Sequence, residues 1–211
     1  MNHISKTFPG VRALKDVHFK IHKGEIMAFM GENGAGKSTL IKIITGYYRR
    51  DPGKGEVLFD GHPINPRNTD EAQKLGISTI FQELNLSPFL SVAENIYLGN
   101  APMKNGIIDW NKMNEDAKKA LLELGVEVDV TAQLSQQSTA IQQMVSIARA
   151  LARNTKLLIM DEATSSLDAG EVKVLFRVVK NLKEKGISTI FVTHKMDEIY
   201  QLCDSATIYR D

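Results

Sequence analysis

The run Gly31-Glu32-Asn33-Gly34-Ala35-Gly36-Lys37-Ser38 fits the phosphate-binding pattern G-x-x-x-x-G-K-[ST] with no mismatch. Such a loop functions only between a buried strand and a helix, so it constrains the fold as well as the ligand. Ile26 to Met30 is a short apolar run bounded by turn-formers, which predicts the strand. Leu40, Ile41, Ile43 and Ile44 predict a helix whose start points at the phosphates. Glycines let backbone N–H groups crowd an anion, and the helix N-terminus adds its positive end. The ligand implied is a nucleoside triphosphate with Mg²⁺, Lys37 reaching its β- and γ-phosphates and the Ser38 hydroxyl binding the metal. A plain Gly-rich turn is the alternative, and the Lys-Ser pair in a strand–helix setting argues against it.

Strand and helix patterns alternate along the rest of the chain, which predicts α/β architecture with a largely parallel sheet. Strands are expected at Val57-Leu58-Phe59, Ile77 to Phe81, Leu157 to Met160 and Ile190-Phe191-Val192. Asp168 and Glu171 form a capping-box pattern opening a helix with Val172, Leu175, Phe176 and Val179 on its apolar face and Gly186 after its end. From about Ser87 to Arg153 the patterns are helical, with one helix over Asn111 to Leu124 and another marked by Ile141, Met144, Val145, Ala148 and Leu151. The expected organisation is one domain over 1–211. Its α/β core covers about 1–86 and 154–211, and a helical insert covers about 87–153.

At 211 residues the chain can bury a substantial core. Its 26 Lys and Arg nearly balance 25 Asp and Glu, so no broad nucleic-acid or anionic-membrane surface is expected and nucleic acid is not an expected partner. The single cysteine, Cys203, excludes an internal disulfide and fits a reducing compartment; it is read as a packed thiol in a helix. No run reaches the roughly 18 to 20 apolar residues of a membrane span, and the N-terminus lacks a signal-peptide pattern.

Five further residues carry candidate chemistry. An apolar strand ending in Asp161-Glu162 suits a nucleotide hydrolase: Asp161 holding Mg²⁺ through water, Glu162 polarising the attacking water. A solvated acidic pair is the simpler reading, and the phosphate loop upstream weighs against it. Gln82, after the strand ending at Phe81, can reach Mg²⁺ or the lytic water; an ordinary loop glutamine is the alternative. His194, at the edge of the strand Ile190 to Thr193, can donate to a γ-phosphate oxygen. The other four histidines are read as surface residues. Phe8 can stack an adenine ring, although a lone aromatic there also fits a core role.

In order, Phe8, the phosphate loop, Gln82, a helix start near Ser138, Leu157 to Glu162, Ser165-Ser166-Leu167-Asp168 and His194 resemble the nucleotide-binding domain of ATP-binding-cassette (ABC) transporters over essentially the whole chain. The resemblance implies a P-loop NTPase core with an antiparallel β piece and an inserted helical subdomain. Ile4 to Leu14, Gly31 to Leu40, Gln82-Glu83-Leu84, Ser91 to Ile96 and Gln143 to Ala148 are similar to ATPases of monosaccharide importers of the ribose, galactose and xylose types. Those carry two cassettes in one polypeptide, so this chain resembles the first cassette of a tandem ATPase, short of a strand before Ile4 and stopping at Arg210-Asp211.

By resemblance, Phe8 stacks adenine. Gly31, Glu32, Asn33, Gly34, Ala35, Gly36, Lys37, Ser38 and Thr39 bind the nucleotide, and Ser38, Gln82 and Asp161 hold Mg²⁺. Glu162 is the catalytic base, His194 the switch histidine, and Gln82 couples the site to the transmembrane partner. Asp168 lies at the dimer interface with Ser138, Thr139 and Ala140. The implied cofactors are ATP and Mg²⁺. The implied partners are a second cassette, permease subunits docked through the helical subdomain and, indirectly, a periplasmic binding protein. The implied location is the cytoplasmic, inner face of the cell membrane. The implied function is an ATPase energising monosaccharide import. A nucleoside or other small-solute importer, a ribosome-binding ABC ATPase and a nucleotide sensor are alternatives.

The family signature Leu-Ser-Gly-Gly-Gln aligns with Gln137-Ser138-Thr139-Ala140-Ile141, so only Ser138 matches. Thr139 and Ala140 put side chains where two glycines let the backbone approach an opposing phosphate. An asymmetric pair is expected, in which this chain's own loop hydrolyses and the site completed by Ser138 is weak. Ala163 stands where the family pattern usually has proline.

Overall fold

The computed structural model describes residues 1–32, 34–53 and 55–209. The chain opens with a hairpin, β1 (Ile4–Phe8) and β2 (Val11–Val17), turned by Pro9-Gly10 with Gly10 at φ 80°, as a type II turn requires. The expected strand β3 (Ile26–Gly31) then leads through the phosphate loop into α1 (Lys37–Ile44). A second hairpin, β4 (Val57–Phe59) and β5 (His62–Ile64), turns on Asp60-Gly61, whose φ values of 53° and 80° fit a type I′ turn. After α2 (Thr69–Lys74), capped by Asn68, β6 (Ile77–Ile80) ends one residue short of the expected Phe81.

The middle of the chain is helical, as expected, apart from one small exposed hairpin. α3 (Val92–Tyr97) is followed by β7 (Met103–Lys104) and β8 (Ile107–Ile108), which turn on Asn105-Gly106, then by α4 (Trp110–Glu123) and α5 (Thr139–Leu151). Ser91 and Glu94 form a full capping box on α3. Asn95 is fully buried and staples the preceding loop: its amide donates to Ser87 O and Ser91 O at 2.9 Å and its Oδ1 accepts from Ser87 N at 2.8 Å. The motif Ser91 to Ile96 therefore fixes how the chain leaves β6 and enters the helical region.

The chain returns through β9 (Leu157–Asp161), α6 (Ala169–Glu184), β10 (Ser188–Val192), α7 (Met196–Leu202) and β11 (Ser205–Tyr209). The Asp168–Glu171 capping box forms as read: Asp168 Oδ1 accepts from Gly170 N (2.7 Å) and Glu171 N (2.8 Å), and Glu171 Oε2 accepts from Asp168 N (3.0 Å). Cys203 is not in a helix. It follows α7 in an extended conformation, half-buried, and burial together with the nearby Asp204 and Glu198 charges pushes its thiol pKa up to about 12.

Five strands form the central sheet in the order β11-β3-β10-β9-β6, all neighbours parallel. Strand alternation splits the core into two apolar clusters. Met27, Phe29, Leu157, Ile159, Ile190 and Val192 pack with α1 and both N-terminal hairpins. Leu158, Met160 and Phe191 pack with α6 and with the helical residues Val92, Ile96, Leu121, Met144 and Ile147. Burying each such side chain contributes about 1.5–3 kcal/mol. Because every strand runs the same way, all their C-terminal ends lie on one edge, and the residues that follow β3, β6, β9 and β10 meet there.

Candidate nucleotide site

The phosphate loop is shaped by its glycines. Gly36 is the N-cap of α1 at φ 91°, and a Cβ there would lie 2.6 Å from Ala13 O and 2.7 Å from Leu14 Cδ2. Gly31 has φ 150°, and its Cβ would lie 2.5 Å from Tyr209 O on β11. The loop is thus wedged between the β1–β2 hairpin and the sheet edge, with no room for side chains at either end. Lys37 Nζ donates to Gly31 O (2.5 Å) and Glu32 O (2.8 Å), which holds the ammonium over the loop. No acidic residue lies in the first turn of α1, so nothing on the helix offsets the positive end of its dipole. Ala35 is buried, Thr39 half-buried, and Glu32, Gly34 and Ser38 are exposed. Asn33 lies outside the described residues.

Asp161 ends β9 and Glu162 follows at φ 49°, a left-handed backbone rarely taken by a residue with a side chain. Such strain costs about 1–3 kcal/mol and concentrates at functional positions. It is held by Glu162 N donating to Val192 O at 3.1 Å and by Ser165 N donating to Glu162 O at 3.0 Å. Burial pushes the Asp161 pKa up; the adjacent Glu162 charge adds to this, while Lys37 and Lys42 oppose it. His194, after β10, brings Nδ1 to 3.5 Å from Glu162 Oε1.

Gln82 follows β6 and lines, with Asp161, Lys42, Thr45, Arg149 and Arg153, a cleft of about 860 Å³. Arg149 Nη1 donates to Asn85 O (2.8 Å), and Arg153 donates to Leu98 O (2.8 Å) and to the Gln73 side chain. Arg149 of α5 therefore ties the segment after Gln82 to the helical region, and Arg153, just past the end of α5, links α2 to the end of α3.

The remaining predicted residues lie elsewhere. Phe8 is half-buried on the hairpin, edge-on to Tyr48 with centroids 5.1 Å apart, and the Lys6 ammonium sits 5.2 Å from its ring centre. Ser138 is the N-cap of α5 and accepts from Ile141 N at 3.4 Å; Thr139 and Ala140 are the first two residues of that helix. Asp168 is exposed at the start of α6.

Sequence reasoning missed Glu198. This carboxylate on α7 is buried, 6% exposed, and accepts from Thr164 Oγ1 (2.7 Å), Thr193 Oγ1 (2.7 Å) and Lys195 Nζ (3.1 Å). Thr164 is two residues after Glu162 and Thr193 immediately precedes His194, so one side chain cross-links both loops. No local sequence pattern signals it, because the two loops meet only when β9 and β10 lie side by side.

A glycine-shaped phosphate loop after a central parallel strand, with carboxylates ending a second strand on the same edge, defines an α/β nucleoside-triphosphate-binding domain of the P-loop class. The chain belongs to the ABC transporter family: the family model of that description matches residues 14–165. It is similar to the galactofuranose transporter ATP-binding protein YtfR of Escherichia coli K12, at 46% identity over 208 residues, covering 99% of this chain and 41% of that protein. It is also similar to the ribose import ATP-binding protein RbsA 1 of Rubrobacter xylanophilus, at 47% identity, covering 100% of this chain and 42% of that protein. The chain thus spans about two fifths of the length of these relatives. Among solved structures, the ADP conformation of MJ1267, an ATP-binding cassette of an ABC transporter, superposes with a TM-score of 0.86 at 30% identity, covering 99% of this chain and 85% of that one. MJ0796 bound to ADP and Pi, a dimeric post-hydrolysis cassette, gives 0.81 at 28%, covering 99% and 93%. Family membership implies that the nucleotide is ATP. No helix among the described residues is long and apolar enough to cross a membrane.

Proposed function

We propose that this chain is the ATP-binding and ATP-hydrolysing cassette of a monosaccharide importer. The observation that carries the catalytic part is the junction of β9 and β10, where the strained Glu162 and His194 meet beside the phosphate loop. Glu162 is the general base for the attacking water, and His194 orients it and donates to the transferred phosphoryl group. Lys37 steadies the β- and γ-phosphates, and backbone N–H groups at the start of α1 bind their oxygens. Phe8 carries the adenine on the ring face away from Lys6. The Ser38 hydroxyl, the Gln82 amide and the half-buried Asp161 carboxylate offer only oxygen donors, which suits Mg²⁺. That ion supplies charge neutralisation at the phosphates when bound.

The sugar assignment rests on the relatives named for ribose and galactofuranose. Two cassettes pair head to tail at the inner face of the membrane, Ser138 to Ala140 and Asp168 facing the partner; that the MJ0796 cassette is dimeric supports the pairing itself. The segment 87–153 acts as the permease-docking subdomain, linked to the loop after Gln82 through the Arg149 hydrogen bond to Asn85 O. Thr139 and Ala140 weaken the composite site this chain completes for its partner, so the hydrolytic site is the one built on its own loop.

The test is uptake of labelled monosaccharide by membranes carrying the complete transporter with Glu162→Gln in this cassette. The reading requires loss of ATP-driven uptake with ATP binding retained. Wild-type uptake would contradict it.

A further inference from the structure

The open end of the β1–β2 hairpin gathers three metal-ligand side chains away from the phosphate loop. Ile4 pairs with Val17 and is buried, while His3 and His18, just beyond the paired ends of the two strands, are exposed. Their rings are cross-strand neighbours, with centroids 4.4 Å apart. An irregularity between the pairs Ile4–Val17 and Lys6–Leu14 sets Asp16 opposite Ser5, whose Oγ accepts from Asp16 N at 3.0 Å. That turns the Asp16 carboxylate toward the histidines, with Oδ1 2.8 Å from His3 Nδ1. One ligand atom from each of His3, Asp16 and His18 lies within 4.8 Å of the others, and all three residues are exposed to entering ions.

We propose that His3, Asp16 and His18 form a binding site for a divalent transition-metal cation, Zn²⁺ by preference. Two imidazole nitrogens and one carboxylate oxygen match the ligand types Zn²⁺ takes, with the fourth position left to water. Tetrahedral Zn²⁺ bonds of about 2.0–2.1 Å place ligand atoms about 3.3 Å apart, so small side-chain rotations close the set. Mg²⁺ prefers oxygen ligands and does not compete here. The bound cation ties β1 to β2 at the end of the hairpin away from Phe8.

Calorimetric titration of the chain with buffered Zn²⁺ in millimolar Mg²⁺ tests the site. His3→Gln, Asp16→Asn and His18→Gln are the ligand variants, and His62→Gln, an exposed histidine on β5, is the control. Circular dichroism of each variant checks its fold. The expected result is one saturable equivalent well below millimolar Zn²⁺, at least about tenfold weaker in each ligand variant and unchanged in the control. No saturable binding below millimolar Zn²⁺ would overturn the proposal. So would affinity that survives both histidine substitutions or falls with His62→Gln.

Discussion

His194 Nδ1 lies 3.5 Å from Glu162 Oε1, across the seam between two adjacent parallel strands. The distance is long for a hydrogen bond, and the His194 side chain is 72% exposed, so the contact holds the two groups as neighbours without locking them. In the proposed roles, a base and its orienting partner must admit a water and a phosphoryl group, and they need that clearance. Replacing His194 with Ala is expected to lower turnover by about 10²–10⁴-fold while leaving ATP affinity nearly unchanged. Single-turnover hydrolysis alongside nucleotide binding checks the separation.

Glu198 fixes that seam from below. Its loss in Glu198→Ala leaves the Thr164 and Thr193 hydroxyls without their buried acceptor, at about 1–3 kcal/mol for each group stranded. The expected outcome is a lower denaturation midpoint and a reduced hydrolysis rate. Glu198→Gln keeps the shape and one acceptor oxygen and should recover most of the stability. Urea titration of both variants, read with their turnover, tests this.

Gly36 and Gly34 should differ when changed to Ala. Both have positive φ, 91° and 97°, so each pays backbone strain. Only at Gly36 does the new methyl strike backbone, at Ala13 O, whereas a Cβ at Gly34 meets no described residue beyond its chain neighbours within 4 Å. Gly36→Ala must move either the hairpin or the loop and is expected to abolish detectable ATP binding. Gly34→Ala is expected to weaken it less. Fluorescent-nucleotide titration of the two variants distinguishes them.

The raised pKa of Asp161 makes a signed prediction. Because the folded chain holds this proton more tightly than the unfolded one, the group favours folding at low pH, and that contribution is lost as pH rises through the folded value. At neutral pH the ionised carboxylate therefore costs stability. Asp161→Asn should raise the melting temperature of the nucleotide-free chain at pH 7, by about 2–4 °C for each kcal/mol relieved. The advantage should vanish in acid, and added Mg²⁺–ATP should stabilise the variant less than the wild type. Melting curves across pH, with and without nucleotide, are the check.

The phosphate loop, four of the five central strands (β3, β6, β9 and β10) and the capping box at Asp168 were legible because each has a dense local signal: a fixed spacing, an unbroken apolar run or a reciprocal cap; the mostly exposed edge strand β11 carries no such run and was not read. The two short hairpins were less so: β4 was read as a strand, but β5, β7 and β8 are two or three residues long and give periodicity nothing to act on. Their turns, Asp60-Gly61 and Asn105-Gly106, carried the only local signal. Cys203 looked helical because α7 precedes it, yet the chain must turn there to enter β11. The cross-link made by Glu198 depends on β9 and β10 lying side by side, which no local pattern states. Ser138 reads the same in sequence and structure, as a helix start, and the role proposed for it across an interface would need a second cassette.

The central claim is that this chain's own loop, with Glu162, is a hydrolytic half-site completed by a partner. The most direct measurement is the ATPase rate per chain as a function of added second cassette carrying an intact Leu-Ser-Gly-Gly-Gln signature, with Glu162→Gln as the blank. The account predicts a low rate for the chain alone, a steep rise to saturation with the second cassette, and no rise in the Glu162→Gln variant. A fast rate by the chain alone that is independent of its concentration, or full activation of the Glu162→Gln variant, would contradict it.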